Sequence, residues 1–313
     1  MTRSWPIAAI VGPTGSGKTE LSLALARRIP LEILVADSRQ AYRGMDIGTA
    51  KPDAAARSAV PHHLLDLVAP GEPFSVAAWA AEARRLVPEV NARGRLPLMV
   101  GGSGLYLAAL LDGYVFGSAP TPEHRARLNE ELASDGVAAL AGRLRAEDPA
   151  AAGRIDLRNP RRVARSLERA AATGSAAPPA GRGWEGPLRV IGIHRPPAVL
   201  NRRIDERARW LFEHGLLDEV RALLAAGHDP TRAPLTSHGY GEAARHLAGE
   251  WSMDEAVAVT ALRTRQYAKR QRTWFRRDPR VVWLEAGDGP ADHPALVAEA
   301  ERLLNGLRSE ARA

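Results

Sequence analysis

Gly12-Pro-Thr-Gly-Ser-Gly-Lys-Thr19 follows the apolar run Ile7-Ala-Ala-Ile-Val11 and precedes Glu20 to Arg28, in which Leu21 and Leu25 share one helical face. Strand, glycine-rich turn and helix in that order predict a phosphate-binding P-loop, with loop N–H groups and the helix N-terminus converging on phosphate oxygens. Gly12, Thr14, Gly15, Ser16 and Gly17 form the cradle, Lys18 adds a point charge, and Thr19 offers a hydroxyl to Mg2+. These residues do not say whether the phosphate is transferred, hydrolysed or discarded as a leaving group. A kinase, an ATPase and a transferase would all use the same loop.

Working outward, Leu31 to Ala36 reads as a second strand ending in Asp37-Ser38, and Leu96 to Val100 as a third, followed by Gly101-Gly-Ser-Gly104. Ligands in open α/β sheets gather at the carboxyl ends of strands. Asp37 therefore has two readings, a magnesium-assisting aspartate or a general base, and Ser103 supplies a hydroxyl in a turn of little bulk. After Gly113 the chain becomes rich in alanine and arginine, with helical segments at Glu123 to Leu132 and Val137 to Arg145. A Gly/Pro/Ala-rich stretch, Gly174 to Gly183, reads as a flexible exit, and Leu188 to Ile193 returns the chain to the sheet. The expected architecture is α/β: a P-loop NTPase-like parallel sheet core flanked by helices, at residues 1–117 and 186–313, with a small helical domain inserted at 118–185.

Composition narrows the partners. With no cysteine among 313 residues, disulfides, thiolate nucleophiles and cysteine zinc sites are excluded, which fits a reducing compartment, so the cytoplasm is expected. Ile7 to Val11 is too short for a signal-peptide core or a membrane span. A net charge of +7 points to an anionic partner. Arg154, Arg158, Arg161, Arg162, Arg165 and Arg169 form a dense run whose ordinary explanation is a solvated helix face. In the C-terminal segment Arg265, Lys269, Arg272 and Arg276 recur every three or four residues, while Tyr267 and Trp274 keep a separate stripe. Glu255 and Asp278 bracket these cations without interleaving, a pattern that suits a phosphate-backbone track better than a salt-bridged helix. The adjacent His62 and His63 project in different directions from an extended chain and read as structural rather than as a metal pair.

Longer motifs carry a specific resemblance. Asp37-Ser-Arg-Gln-Ala-Tyr-Arg-Gly-Met-Asp-Ile-Gly-Thr-Ala-Lys-Pro52, His62-His-Leu-Leu-Asp66, GGSGLYL from Gly101 to Leu107, Asn159-Pro-Arg-Arg162, Arg203-Ile-Asp-Glu-Arg207 and Thr264 to Phe275 join the P-loop in this pattern. Together they resemble the tRNA dimethylallyltransferase family over most of the chain, weakening after about Arg280. The resemblance implies transfer of a dimethylallyl group from dimethylallyl diphosphate to N6 of the adenosine just 3′ of the anticodon, with diphosphate leaving from the P-loop. It implies Asp37 as general base, Ser103 in a position where the family more often has threonine, and Arg207 on the diphosphate. It further implies tRNA contacts from Asp37, Ser38, Arg39, Gln40, Arg125, Arg161, Arg162, Arg165, His238, Gly239, Tyr240, Lys269, Arg270, Arg272, Trp274 and Arg276.

The expected partners are thus a tRNA anticodon stem-loop and dimethylallyl diphosphate, with Mg2+ as cofactor, no membrane, and a monomeric enzyme. The chain departs from the family at Gly241, where a lysine or arginine commonly follows Gly-Tyr. From the residues alone Arg207 reads as a solvated helix arginine rather than a diphosphate ligand. The rival activities are a P-loop kinase or ATPase, an isopentenyltransferase acting on free adenine nucleotides, and a non-catalytic RNA-binding protein.

Overall fold

The computed structural model describes residues 5–114, 121–173 and 183–310. Among these, β1 (Ile7–Val11), β2 (Leu31–Val35), β3 (His62–His63), β4 (Leu96–Gly101), β5 (Leu188–His194) and β6 (Val281–Glu285) form one sheet in the order β3-β2-β4-β1-β5-β6. Every pairing is parallel, giving the expected α/β class. β1, β2 and β4 are buried along their whole length, as a parallel sheet covered by helices requires. Ile10 lies opposite Val100 on one side and Ile191 on the other. The P-loop therefore leaves the middle of the sheet, with the turns after β2, β4 and β5 around it.

The connections are helical. The first half contributes α1 (Lys18–Ala26), α2 (Ala54–Ala59), α3 (Val76–Ala92) and α4 (Gly104–Leu111). Next come α5 (Pro122–Glu147), α6 (Pro149–Ala152) and α7 (Pro160–Thr173). After β5 follow α8 (Pro197–Glu213), α9 (Leu216–Ala225), α10 (Tyr240–Leu247), α11 (Met253–Phe275) and, after β6, α12 (Pro294–Glu310). Leu21 and Leu25 of α1 share a core with Leu296, Ala300 and Leu304 of α12 and with Ile10, Ile33 and Leu98 of the sheet. Trp79 of α3 is fully buried, and its indole N–H donates to the Val35 carbonyl at 2.9 Å. A second core joins Tyr42 and Met45, from the turn after β2, to Leu211, Leu216, Tyr240 and Val257 of α8 to α11. Helix α11 starts on a capping box, Ser252 with Glu255, which satisfies amides of its first turn.

The chain divides into two compact units, Met1–Leu107 with Trp184–Ala313, and Ala108–Gly183. The second has its own core of Leu128, Leu140, Leu144, Ala151, Val163 and Leu167. The two helical segments expected there are halves of α5, separated at Gly136, whose φ of 75° and ψ of 175° break the helix. The Gly/Pro/Ala-rich exit expected at Gly174 to Gly183 lies outside the described residues up to 182. No described helix is long and apolar enough to cross a membrane.

Candidate active site

The P-loop is shaped by what its carbonyls do. Lys18 Nζ donates to Gly12 O at 3.0 Å and Pro13 O at 2.8 Å. Arg203 Nε donates to Gly15 O at 3.1 Å, and Arg195 Nε to Ser16 O at 2.9 Å. With these loop carbonyls tied to cationic donors, the amides that open α1 are left to face an anion. Gly17 makes the turn into that helix with φ of 99°, and a Cβ there would stand 2.3 Å from Ala291 Cβ. Burial pushes the Lys18 ammonium down to about 8, opposed by the charge of Asp37. The Thr14 N–H is given to Gln271 Oε1 at 2.8 Å.

Asp37 leaves the carboxyl end of β2 half-buried, and its Oδ1 accepts the Arg39 N–H at 2.8 Å. The rest of that turn is held by buried polar contacts. Lys51, whose side chain is 1% exposed, reaches Asp46 at 2.6 Å, Asp66 at 2.5 Å and Tyr42 O at 2.6 Å. Glu219, from α9, accepts the N–H groups of Asp46, Ile47 and Gly48 and the Tyr240 hydroxyl. Gln40 donates its amide to Thr49 O at 3.0 Å and Ala50 O at 3.2 Å. Ala50 sits at φ of 58°, a left-handed conformation that costs about 1 kcal/mol and persists because its surroundings dictate it.

Ser103 stands in the turn after β4, half-buried. The glycines beside it are demanded by side chains of α11: a Cβ on Gly102 would lie 2.1 Å from Gln271 Nε2, and one on Gly104 2.2 Å from Trp274 Cδ1. Burial and the charge of Asp37 raise the Tyr267 hydroxyl, while hydrogen bonds with Ser103 and Gln271 oppose the shift. Burial likewise lifts Tyr106, with Asp37 again adding to the effect. Asp37 is thus in electrostatic reach of Lys18, Tyr106 and Tyr267, and Tyr267 in turn of Ser103. Arg207, on α8, is exposed with its guanidinium 6.0 Å from the Trp210 ring.

The residues expected at a nucleic acid separate into four groups. On α11 Lys269, Arg270 and Trp274 are exposed and Arg272 half-buried, and Arg276, which caps its C-terminus, is exposed. Arg270 lies 5.8 Å from the Tyr267 ring and His238 5.5 Å from it, so this stripe runs up to Ser103 through Tyr267. Ser38, Arg39 and Gln40 are half-buried beside Asp37. Tyr240 differs from expectation: it is 1% exposed, with its hydroxyl on Glu219, so it holds the turn after β2 rather than offering a surface. The Gly239 N–H is likewise committed inside, donating to Glu242 Oε2 at 2.7 Å. Arg265, expected in the basic stripe, pairs with Asp205 of α8.

In the second unit Arg125 and Arg165 share Glu168 at 3.2 and 2.9 Å. Arg161 and Arg162 are exposed on α7. His62 and His63 are structural, bonded to Val60 O and to Glu32.

Sequence reasoning passed over Arg195, Gln271 and Glu219 as site residues. Arg195 is 1% exposed at the end of β5, and besides Ser16 O it donates to Gly287 O at 3.0 Å and Gly289 O at 2.6 Å. All its acceptors are carbonyls, and its Nη2 has none. The signal was there: an arginine closing an apolar strand, the same position that singles out Asp37.

Comparison with known proteins matches residues 40–278 to the IPP transferase family and residues 5–62 to isopentenyl transferase. A tRNA dimethylallyltransferase of Syntrophobacter fumaroxidans is 46% identical over 90% of this chain and 84% of its own. One from Anaeromyxobacter dehalogenans is 45% identical over 95% of this chain and 99% of its own. The crystal structure of a tRNA isopentenylpyrophosphate transferase from Bacillus halodurans superposes with a TM-score of 0.73 at 38% identity, covering 98% of both chains. A eukaryotic dimethylallyltransferase described as acting on tRNA gives a TM-score of 0.83 at 25% identity, over 98% of this chain and 80% of that one.

Proposed function

Since the chain belongs to the IPP transferase family, we propose that it is a tRNA dimethylallyltransferase, moving a dimethylallyl group from dimethylallyl diphosphate to N6 of the adenosine 3′ of the anticodon. The observation that carries this reading is the pairing of a P-loop whose carbonyls are tied back with a carboxylate, Asp37, close enough to act on Lys18. The allylic C–O bond breaks and its electron pair leaves with the diphosphate. The adenine N6 lone pair forms the new C–N bond, and the N6 proton passes to Asp37. Loop amides and Lys18 meet the charge that develops on the leaving oxygen, where preorganised donors lower a barrier most. A positioned base such as Asp37 contributes roughly 10²- to 10⁴-fold. Arg207 is placed by this reading at the diphosphate, for which a guanidinium fork is suited.

Thr19 is an exposed hydroxyl at the start of α1, and among the described residues no group of three or more His, Cys, Asp or Glu could hold a metal ion. That donor set fits Mg2+ carried mainly by diphosphate oxygens and water, with Thr19 contributing one ligand. When bound, the ion would neutralise leaving-group charge.

The test compares kcat/KM for an anticodon stem-loop, the same stem-loop with guanosine at the target position, and free AMP. Transfer confined to the first is expected, because remote phosphate contacts position the amine as well as bind it. Comparable efficiency on AMP would overturn the tRNA reading in favour of a free-nucleotide transferase.

A further inference from the structure

Among the exposed cations of α11, one uncharged polar side chain turns inward. Gln271 is 5% exposed. Its Oε1 accepts the Thr14 N–H at 2.8 Å, and its Nε2 donates to the Gly102 carbonyl at 2.8 Å. These two partners, besides the Tyr267 hydroxyl, are backbone groups with fixed roles, a donor and an acceptor, so the amide has only one satisfactory orientation. A Cβ on Gly102 would also stand 3.2 Å from Gly12 O. The P-loop and the turn bearing Ser103 therefore approach closely, and Gln271 is the side chain that bridges them. Tyr267, one helical turn earlier, continues the connection to the Ser103 side chain.

We infer that Gln271 is a positioning residue, fixing the leaving-group loop at Thr14 against the substrate turn at Gly102. This rests on the transfer reaction proposed above. The role needs an amide. Leucine would leave a buried N–H and a buried carbonyl without partners. Glutamate, when ionised, accepts from Thr14 but cannot donate to Gly102, and it adds a negative charge near Asp37 and the diphosphate. Asparagine is one methylene short of spanning the gap. One consequence is immediate: the Thr14 N–H belongs to Gln271, and the diphosphate is held by the amides nearer α1.

The experiment measures wild type, Gln271→Leu and Gln271→Glu between pH 5.5 and 8.5. It follows kcat on the stem-loop, KM for the stem-loop, the Kd of inorganic pyrophosphate, and Tm as a control for folding. In Gln271→Leu, kcat should fall about tenfold or more, as expected when buried partners are orphaned, while KM for the stem-loop stays within about twofold. In Gln271→Glu the deficits in kcat and in pyrophosphate affinity should be largest at pH 8.5 and shrink as pH falls. A buried carboxyl near Asp37 protonates readily and then regains a donor for Gly102. Taking each value as a ratio to wild type removes the pH dependence common to both proteins, that of pyrophosphate itself included. A ratio flat with pH, or losses no greater than the unfolded fraction, would overturn the assignment and leave Gln271 a packing residue. If wild type binds pyrophosphate but does not modify the stem-loop, the function fails instead, and pyrophosphate affinity still judges Gln271.

Discussion

Around the P-loop, Lys18, Arg195 and Arg203 are turned onto carbonyls of the loop itself, whereas Lys269, Arg270 and Arg272 of α11 and its cap residue Arg276 take part in no ion pair among the described residues. The first group commits its donors to shape. Its charges are fixed and partly desolvated beside the amides that open α1, an arrangement able to stabilise charge that appears only in a transition state. The second group keeps its donors on long side chains that can follow an extended phosphate backbone, with energies that salt screens. The two clusters of cations thus differ in rigidity more than in charge, and under the proposed function each would meet phosphate in its own way.

The sharpest way to break this comparison is to remove chemistry while keeping shape. Asp37→Asn should lower kcat by roughly 10²- to 10⁴-fold with little change in stem-loop affinity. Single-turnover kinetics at saturation measure it, and weakened binding with intact turnover would make Asp37 a recognition residue instead.

Lys18 tests the rigid half. Lys18→Ala should slow transfer by about 10²-fold or more. Because the Lys18 ammonium titrates at about 8 in the free protein, its charge is present below that pH and lost above it. Pyrophosphate affinity should therefore weaken as pH rises past 8, by up to about tenfold per unit. Lys18→Arg, which keeps its charge, should lose that decline even if its geometry is poorer. Calorimetric titration from about one unit below that value to about one and a half above it separates these outcomes, and an identical profile for the two proteins would assign the decline to another group.

The flexible half should show a smaller and more graded response. Replacing Lys269, Arg270 and Arg272 with alanine should reduce the slope of log affinity against log salt by roughly 0.7 to 0.9 for each phosphate that is no longer neutralised, leaving pyrophosphate affinity unchanged. Arg265→Ala sharpens the contrast, since its pairing with Asp205 predicts a slope close to wild type. A larger change for Arg265 than for the triple variant would show that the stripe had been drawn on the wrong residues.

The rigid half is easy to find in the sequence and hard to understand from it. Glycine spacing and an apolar run announce the P-loop, and the strand order places Asp37 and Ser103 beside it. Arg195 and Gln271 were not legible in the same way, because they act on backbone groups 179 and 169 residues away along the chain, which no local pattern encodes. Tyr240 misled for the opposite reason. The family resemblance implied a tRNA contact there, but the carboxylate of Glu219 and the packing of α9 and α10 draw it inside. On α11 helical spacing sufficed for the exposed face. The buried face held the residue that mattered to the P-loop, and a polar amide between Ala268 and Phe275 was the trace of it.

The central place of β1 has a consequence in time. In the finished sheet β1 is flanked by β4 and β5, but a ribosome delivers β4 long before β5. Between them it must synthesise α4 and the whole of the second unit. At roughly 5–20 residues per second this interval lasts several seconds, during which the nascent half-sheet ends in an apolar, unpaired edge. A core of its own lets the inserted unit fold during the wait instead of competing for that edge. Chains arrested just before Leu188 are the ones a chaperone would meet with Ile7–Val11 uncovered.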